Sequence, residues 1–328
     1  MQFKHIVILF AAAMVLQSCW KESCVWKNEL INPSDRADFH KLDDQLLEYL
    51  KNDDNDHLKL LEAKELIDDG SVVKSVDEIS NLFRKSDYKL CDEYYVVNKY
   101  KDADTILNHL QGINNYNVRY GNVSHEMYIA FFLPKTNLAN QWMIGAVFNK
   151  LSYGWKLALL DFGTYTINGK TAPELWELAE AEFRKHYLIA AGNTIQMAYS
   201  IKRPVAVWVY THEDSIDMTY WRIAAAASAK IKFPIVLNAI PTHPSIFRVF
   251  AGQMDNNDGY YPKVYYQTSI NVHDTAAVRK ENNAIMKALP AVLPGIDQDT
   301  PLLLFTAFNK KPNAQENVPR YEMDNRVR

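Results

Sequence analysis

The feature that most constrains the fold is a change of hydrophobic period near residue 86. Before it, apolar residues recur at helical spacing. Leu46, Leu47 and Leu50 form one group, and Leu58, Leu60, Leu61 and Leu66 form another. Asn52-Asp53-Asp54-Asn55-Asp56 lies between them as a stop and cap cluster. Gly70 gives a C-cap signal, and Ser75 with Glu78 makes a capping box that predicts a third helix over 76–85. After the change come strand-type runs: 88–100, Tyr116–Tyr120, Met127–Leu133, Trp142–Lys150 and Trp155–Phe162, with a short helix expected over 102–110. Turn residues separate the last four runs, including Gly121-Asn122 and Ser152-Tyr153-Gly154. Several runs are apolar at both alternating positions, which suits a sheet covered on both faces. Helices first and antiparallel strands afterwards give an α+β class.

The rest of the chain divides again. Trp176, Ala179, Phe183 and Tyr187 recur at helical spacing, and Arg203-Pro204 ends the pattern. Residues 166–204 therefore read as a helical hairpin that bridges two domains. Residues 205–309 read as a second α+β domain. Its strands are expected at 205–210, 234–240, 246–250, 260–272 and 302–308, and its helices at 220–230 and 274–289. Residues 310–328 are polar and charged and read as a mobile tail.

The start of the chain has a different character. Lys4 and His5 form a basic head, an apolar run of about 11 residues extends from Ile6 to Leu16, and Leu16-Gln17-Ser18-Cys19 follows. The run is too short to span a bilayer, which takes roughly 20 residues. This build is that of a secretory signal peptide, and Leu-Gln-Ser-Cys resembles the lipobox of bacterial lipoproteins. The resemblance implies that residues 1–18 are removed and that Cys19 is lipidated with palmitate-type chains. Trp20 stands where an aspartate would signal inner-membrane retention, so the resemblance places the protein in the outer membrane of a Gram-negative cell envelope. Residues 19–40 read as a tether and 41–165 as the first folded domain. With Cys19 lipidated, Cys24 and Cys91 remain, and sequence leaves open whether they pair.

The order of elements over 41–165, together with the closing strand Gly154-Trp155-Lys156-Leu157-Ala158-Leu159-Leu160-Asp161-Phe162, resembles the NTF2-like superfamily. The resemblance implies helices packed on a curled antiparallel sheet, a cone whose inward side chains line a cavity. Strict alternation puts Trp155, Leu157, Leu159 and Asp161 on one face. It puts Trp142, Ile144, Ala146 and Phe148 together on the neighbouring strand, and Tyr128 with Ala130 on a third. Tyr128, Trp142, Trp155 and Asp161 are thus the candidate pocket residues, with Asp161 the polar group among aromatics. Family members bind small molecules in such cavities, and a few are enzymes that use Asp and Tyr.

Motifs exclude more than they identify. The chain has no G-x-S-x-G elbow, no C-x-x-C pair and no H-E-x-x-H helix. Eleven glycines in 328 residues leave little for a phosphate-cradling loop. A formal charge of −3 lacks the basic excess of a nucleic-acid binder. The sequence thus supplies no catalytic residue, metal ligand or cofactor site. The expectation is a membrane-anchored exported lipoprotein that binds an envelope protein or a small ligand. The alternative is an enzyme acting on a small molecule in the NTF2-like cavity.

Overall fold

A computed structural model describes residues 24–99, 102–121, 124–254, 257–313 and 318–327. Cys19 and the stretch read as a signal peptide lie outside these residues. Among the described residues the fold is mixed α+β, with three sheets, none closed into a barrel. The chain forms two compact units. The first comprises Met1–Leu110, Tyr116–Thr164 and Arg203–Val209, and the second Gln111–Asn115, Tyr165–Lys202 and Tyr210–Arg328.

The first unit packs helices on one face of an antiparallel sheet. Strand β1 (Cys24–Lys27) is followed by helices α1 (Pro33–Asn52), α2 (Asn55–Leu61), α3 (Lys64–Asp69) and α4 (Ser71–Phe83). Strands β2 (Tyr88–Val97), β3 (Ala103–Ile106), β4 (Tyr116–Gly121), β5 (Glu126–Pro134), β6 (Trp142–Leu151) and β7 (Gly154–Thr164) follow. The main sheet runs in the order β1-β2-β5-β6-β7, with every neighbouring pair antiparallel. Its helix-facing side is filled by Tyr128, Ala130, Phe132, Ile144, Ala146, Phe148 and Leu157, packed against Phe39, Leu46 and Leu50 of α1 and Val76 and Ile79 of α4.

The stretch read as a tether is largely folded. Cys24–Lys27 pairs with β2 at the sheet edge, where unpaired backbone would otherwise be open. Asn32 caps α1 by accepting the Ser34 N–H, and Pro33 fills the first turn, where no N–H is needed. The helix therefore starts eight residues before residue 41, where the first folded domain is expected to begin. Asp54 caps α2 through the His57 N–H. The helix expected over 102–110 is instead strand β3, because Ala103–Ile106 pairs with Val118–Gly121 of β4 and the pairing overrides local preference. Cys91 carries a free thiol, so no bridge joins it to Cys24.

Two β-bulges set which side chains face the helices. In β2, Leu90 pairs with Phe132 and Asp92 with Phe131, so Cys91 is an extra residue. Tyr88 and Leu90 face the helices before the bulge, and Tyr95 does after it. In β7, Leu157 pairs with Phe148 and Leu159 with Val147, leaving Ala158 extra. Trp155 and Leu157 face the helices on one side of this bulge, Leu160 and Phe162 on the other.

The second unit contains helices α5 (Ala172–Arg184), α6 (Leu188–Ser200), α7 (Glu213–Lys230) and α8 (Thr275–Val292). Its sheet is built from β9 (Ile235–Val236), β10 (Ser245–Met254), β11 (Asn257–Gln267), β12 (Leu302–Phe308) and β13 (Arg320–Arg326), in the order β13-β12-β11-β10-β9. The β11–β12 pair is parallel and the others antiparallel. The short strand β8 (Trp208–Tyr210) belongs to a third sheet, β3-β4-β8. Capping explains the α5 start, where Thr171 and Glu174 form a capping box. The polar C-terminal stretch is not only a tail. Residues 320–326 add an edge strand whose Tyr321 and Met323 pack on the core while Arg320, Glu322, Asp324 and Arg326 are exposed. The expected strand over 234–240 shrinks to two residues, and α8 continues through Pro290.

Two predictions follow from this packing. A Cβ at Gly163 of β7 would fall on the Pro204 carbonyl oxygen, so Gly163→Ala should destabilise by about 1–3 kcal/mol in chemical denaturation. Glu182 of α5 is buried, one of its carboxylate oxygens has no partner among the described residues, and burial raises its pKa to about 7. A carboxyl raised in the folded state favours folding while protonated. Stability should therefore fall by about 3 kcal/mol as pH rises from the unfolded value near 4.5 to about 7, then level off. Denaturation curves across that window should be flatter for Glu182→Gln.

Candidate functional site

Helix α1 buries Phe39, Asp43, Leu46 and Leu50, an unbroken stripe at 4-3-4 spacing. Three of these positions are apolar. The fourth is a carboxylate, only 4% exposed. Burying an unpaired carboxylate is costly, so its surroundings carry information.

Asp43 lies against two sheet residues. The Tyr128 hydroxyl of β5 donates to Asp43 Oδ2 at 2.6 Å and lies 3.0 Å from Glu93 Oε2. Glu93, on β2, is fully buried. Its Oε1 accepts from Arg36 Nε at 2.5 Å and lies 3.2 Å from His40 Nε2. Arg36, His40 and Asp43 are spaced i, i+4 and i+7 on α1, so one helix face carries all three over the sheet. The bulge at Cys91 turns Glu93 toward them: without it, Asp92 would face the helix. Phe39 seals the cluster on one side, stacking on Tyr128 at 4.3 Å and meeting the Trp155 edge at 5.1 Å.

The electrostatics follow from this geometry. Burial pushes Asp43 up to about 8, partly offset by the Tyr128 hydroxyl and reinforced by the Glu93 charge. Burial likewise raises Tyr128 well above the ordinary phenol range, and the two carboxylates raise it further. The bond to Glu93 raises Arg36. A phenol has one proton to offer two carboxylates. The Tyr128 hydroxyl donates to Asp43, and Arg36 balances the Glu93 charge. One atom is left over. Asp43 Oδ1 is buried and has no hydrogen-bond partner among the described residues. His40, Asp43 and Glu93 each offer one ligand atom, and these atoms lie within 4.8 Å of one another.

A second network on the opposite side of β2 provides a contrast. Lys27 Nζ pairs with Asp92 Oδ2 at 2.9 Å, and the Tyr116 hydroxyl donates to the same carboxylate. Tyr94 and Tyr116 hydroxyls are 2.7 Å apart, Asn108 Nδ2 donates to the Tyr94 oxygen at 2.7 Å, and Asn28 Nδ2 donates to Asp92 Oδ1 at 2.9 Å. Both Asp92 oxygens are bonded, as a purely structural carboxylate requires.

Of the four pocket residues expected from sequence, the structure brings two together. Tyr128 is the centre of the cluster, and Trp155 borders it through Phe39. Trp142 stacks on Phe162 at 5.7 Å, six residues along β6 from the Phe148 that pairs with Tyr128, or about 20 Å away. Asp161 is on the other face, because the Ala158 bulge reverses the alternation after Leu157. Its Oδ2 accepts the Ala206 N–H at 2.6 Å and its Oδ1 the Phe162 N–H at 2.8 Å, so it holds backbone in place. Sequence reasoning passes over Arg36, His40, Asp43 and Glu93. The stripe Phe39-Asp43-Leu46-Leu50 is the one legible signal, once α1 is started at Pro33.

No protein-family model, no curated protein and no solved structure matches the chain.

Removing the hydroxyl that both carboxylates share should be expensive. Tyr128→Phe is expected to cost about 2–4 kcal/mol, measured by the denaturation midpoint, since it leaves Asp43 and Glu93 each with one bond fewer in a buried site.

Proposed function

We propose that the chain is an exported, lipid-anchored ligand-binding protein of the Gram-negative outer membrane. On this reading residues 1–18 are removed, Cys19 carries the lipid, and the first unit is an NTF2-like cone. The binding site is the Arg36–His40–Asp43–Glu93–Tyr128 cluster on its helix-facing side. The observation that carries the binding reading is the incomplete Asp43 carboxyl in the core stripe of α1. An apolar residue of similar size there would give a more stable helix contact, so the carboxylate is best explained by a ligand.

On this reading the anchor is short. Strand β1 begins at Cys24, so five peptide units separate it from Cys19. Fully extended, they reach at most about 18 Å. The first unit would therefore be held close to the bilayer surface, in place of the longer, swinging tether that residues 19–40 suggest on their own. A multiply acylated cysteine anchors firmly, where a single chain binds only reversibly.

Cell fractionation with palmitate labelling tests the anchor. The native chain should take label and sediment with outer membranes, and Cys19→Ala should lose both. A Cys19→Ala protein that still labelled and still sedimented would overturn the anchor.

A further inference from the structure

We propose that His40, Asp43 and Glu93 bind a divalent transition-metal cation of the zinc class. This names the ligand class of the cluster and rests on the reading of that cluster as a binding site.

The ligand set suits such an ion. One imidazole nitrogen and two carboxylate oxygens are donors that Zn²⁺ accepts at about 2.0–2.2 Å, with a fourth position left for water. Two ligands of a tetrahedral ion at those distances lie about 3.4 Å apart. His40 Nε2 and Glu93 Oε1 are already 3.2 Å apart. His40 and Asp43 stand at i and i+3 on α1, over one turn, and Glu93 approaches from the sheet. Three ligands thus come from two elements held by a common core, with their ligand atoms within 4.8 Å of one another.

The remaining groups allow the ion to enter. Asp43 Oδ1, nine-tenths buried and without a partner, is the coordination atom left over once Tyr128 holds Oδ2. Tyr128 then acts as an outer partner that orients both carboxylates, the usual support for metal-ligating side chains. Arg36 occupies Glu93 Oε1, yet its Nη2 is also 3.5 Å from Glu29 Oε1, so it keeps a carboxylate partner when it yields Glu93 to the ion. The His40 side chain is 42% exposed while Glu93 is fully buried, which gives an ion a path from solvent to the inner ligand.

The test uses the untagged full chain extracted from membranes in mild detergent and stripped with EDTA. Titration with ZnCl₂ by calorimetry should show one equivalent bound and a rise in Tm of several degrees. X-ray absorption at the zinc edge should show only nitrogen and oxygen ligands, which excludes Cys24 and Cys91 as the site. His40→Ala and Asp43→Asn should each weaken binding by at least about tenfold. Asp161→Asn, on the other face of the sheet, should leave binding unchanged. His40 is partly exposed, so His40→Ala should fold, as its circular dichroism will show. Absence of zinc binding by the folded chain would overturn the assignment, as would binding that both cluster variants leave intact. Neither result touches the anchor, which Cys19→Ala judges separately. A fractionation failure with zinc binding intact would remove the address and keep the metal site.

Discussion

The bond from Tyr128 to Asp43 ties α1 to the main sheet, and the first unit depends on it. Phe39, Leu46 and Leu50 give α1 its affinity for the sheet, but apolar contacts of this kind tolerate more than one register. The polar contact does not. A slip of α1 by one turn would set an apolar side chain against the Tyr128 hydroxyl and strip Asp43 of its partner. Each buried group left unbonded costs about 1–3 kcal/mol. The correct register also brings Arg36 and His40 onto Glu93. The same contact that positions the helix therefore assembles the cluster.

Asp92 and Glu93 are neighbours in sequence with opposite surroundings. Asp92 faces Lys27, Tyr116 and Asn28, and both its oxygens are bonded. Glu93 faces Arg36, His40 and Tyr128, and shares the last with a second carboxyl that has an oxygen to spare. A closed network accounts fully for its own residues. The network around Tyr128 is closed only on the Glu93 side, and the open valence belongs to Asp43. On the proposed reading the difference marks one as scaffold and the other as a site, although both combine tyrosine hydroxyls with carboxylates.

Periodicity made the α+β character legible, along with the positions of β5, β6, β7 and β12. These elements are long, apolar and bounded by turn residues. The site was less legible for a specific reason: two bulges decide it. Alternation through Trp155 predicts Asp161 on the helix-facing side, and the extra residue at Ala158 sends it to the other. Alternation from Tyr88 and Leu90 predicts Asp92 toward the helices, and the extra residue at Cys91 substitutes Glu93. Neither Ala158 nor Cys91 is a glycine or otherwise marked as a bulge former. Element ends failed for a related reason. Asn32-Pro33 is equally a turn and a helix start, and Arg320–Arg326 becomes a strand only because β12 offers it an edge.

The anchor and the cluster, on the proposed reading, are joined by a short covalent and hydrogen-bonded path. Five peptide units separate Cys19 from β1, whose Trp26 stacks on Tyr95 at 5.4 Å. Just beyond β1, the Asn28 side chain accepts the Glu93 backbone N–H at 2.9 Å and donates to Asp92. Residues immediately after the lipid thus fix the strand that carries Glu93. Tyr95 in turn lies 5.3 Å from Phe39, the ring that seals the cluster. Tension or burial at the membrane surface would act on β1 before any other element and reach Glu93 through one side chain. On the proposed reading, a site on β2, beside the strand nearest the anchor, would have a geometry sensitive to how the first unit meets the membrane.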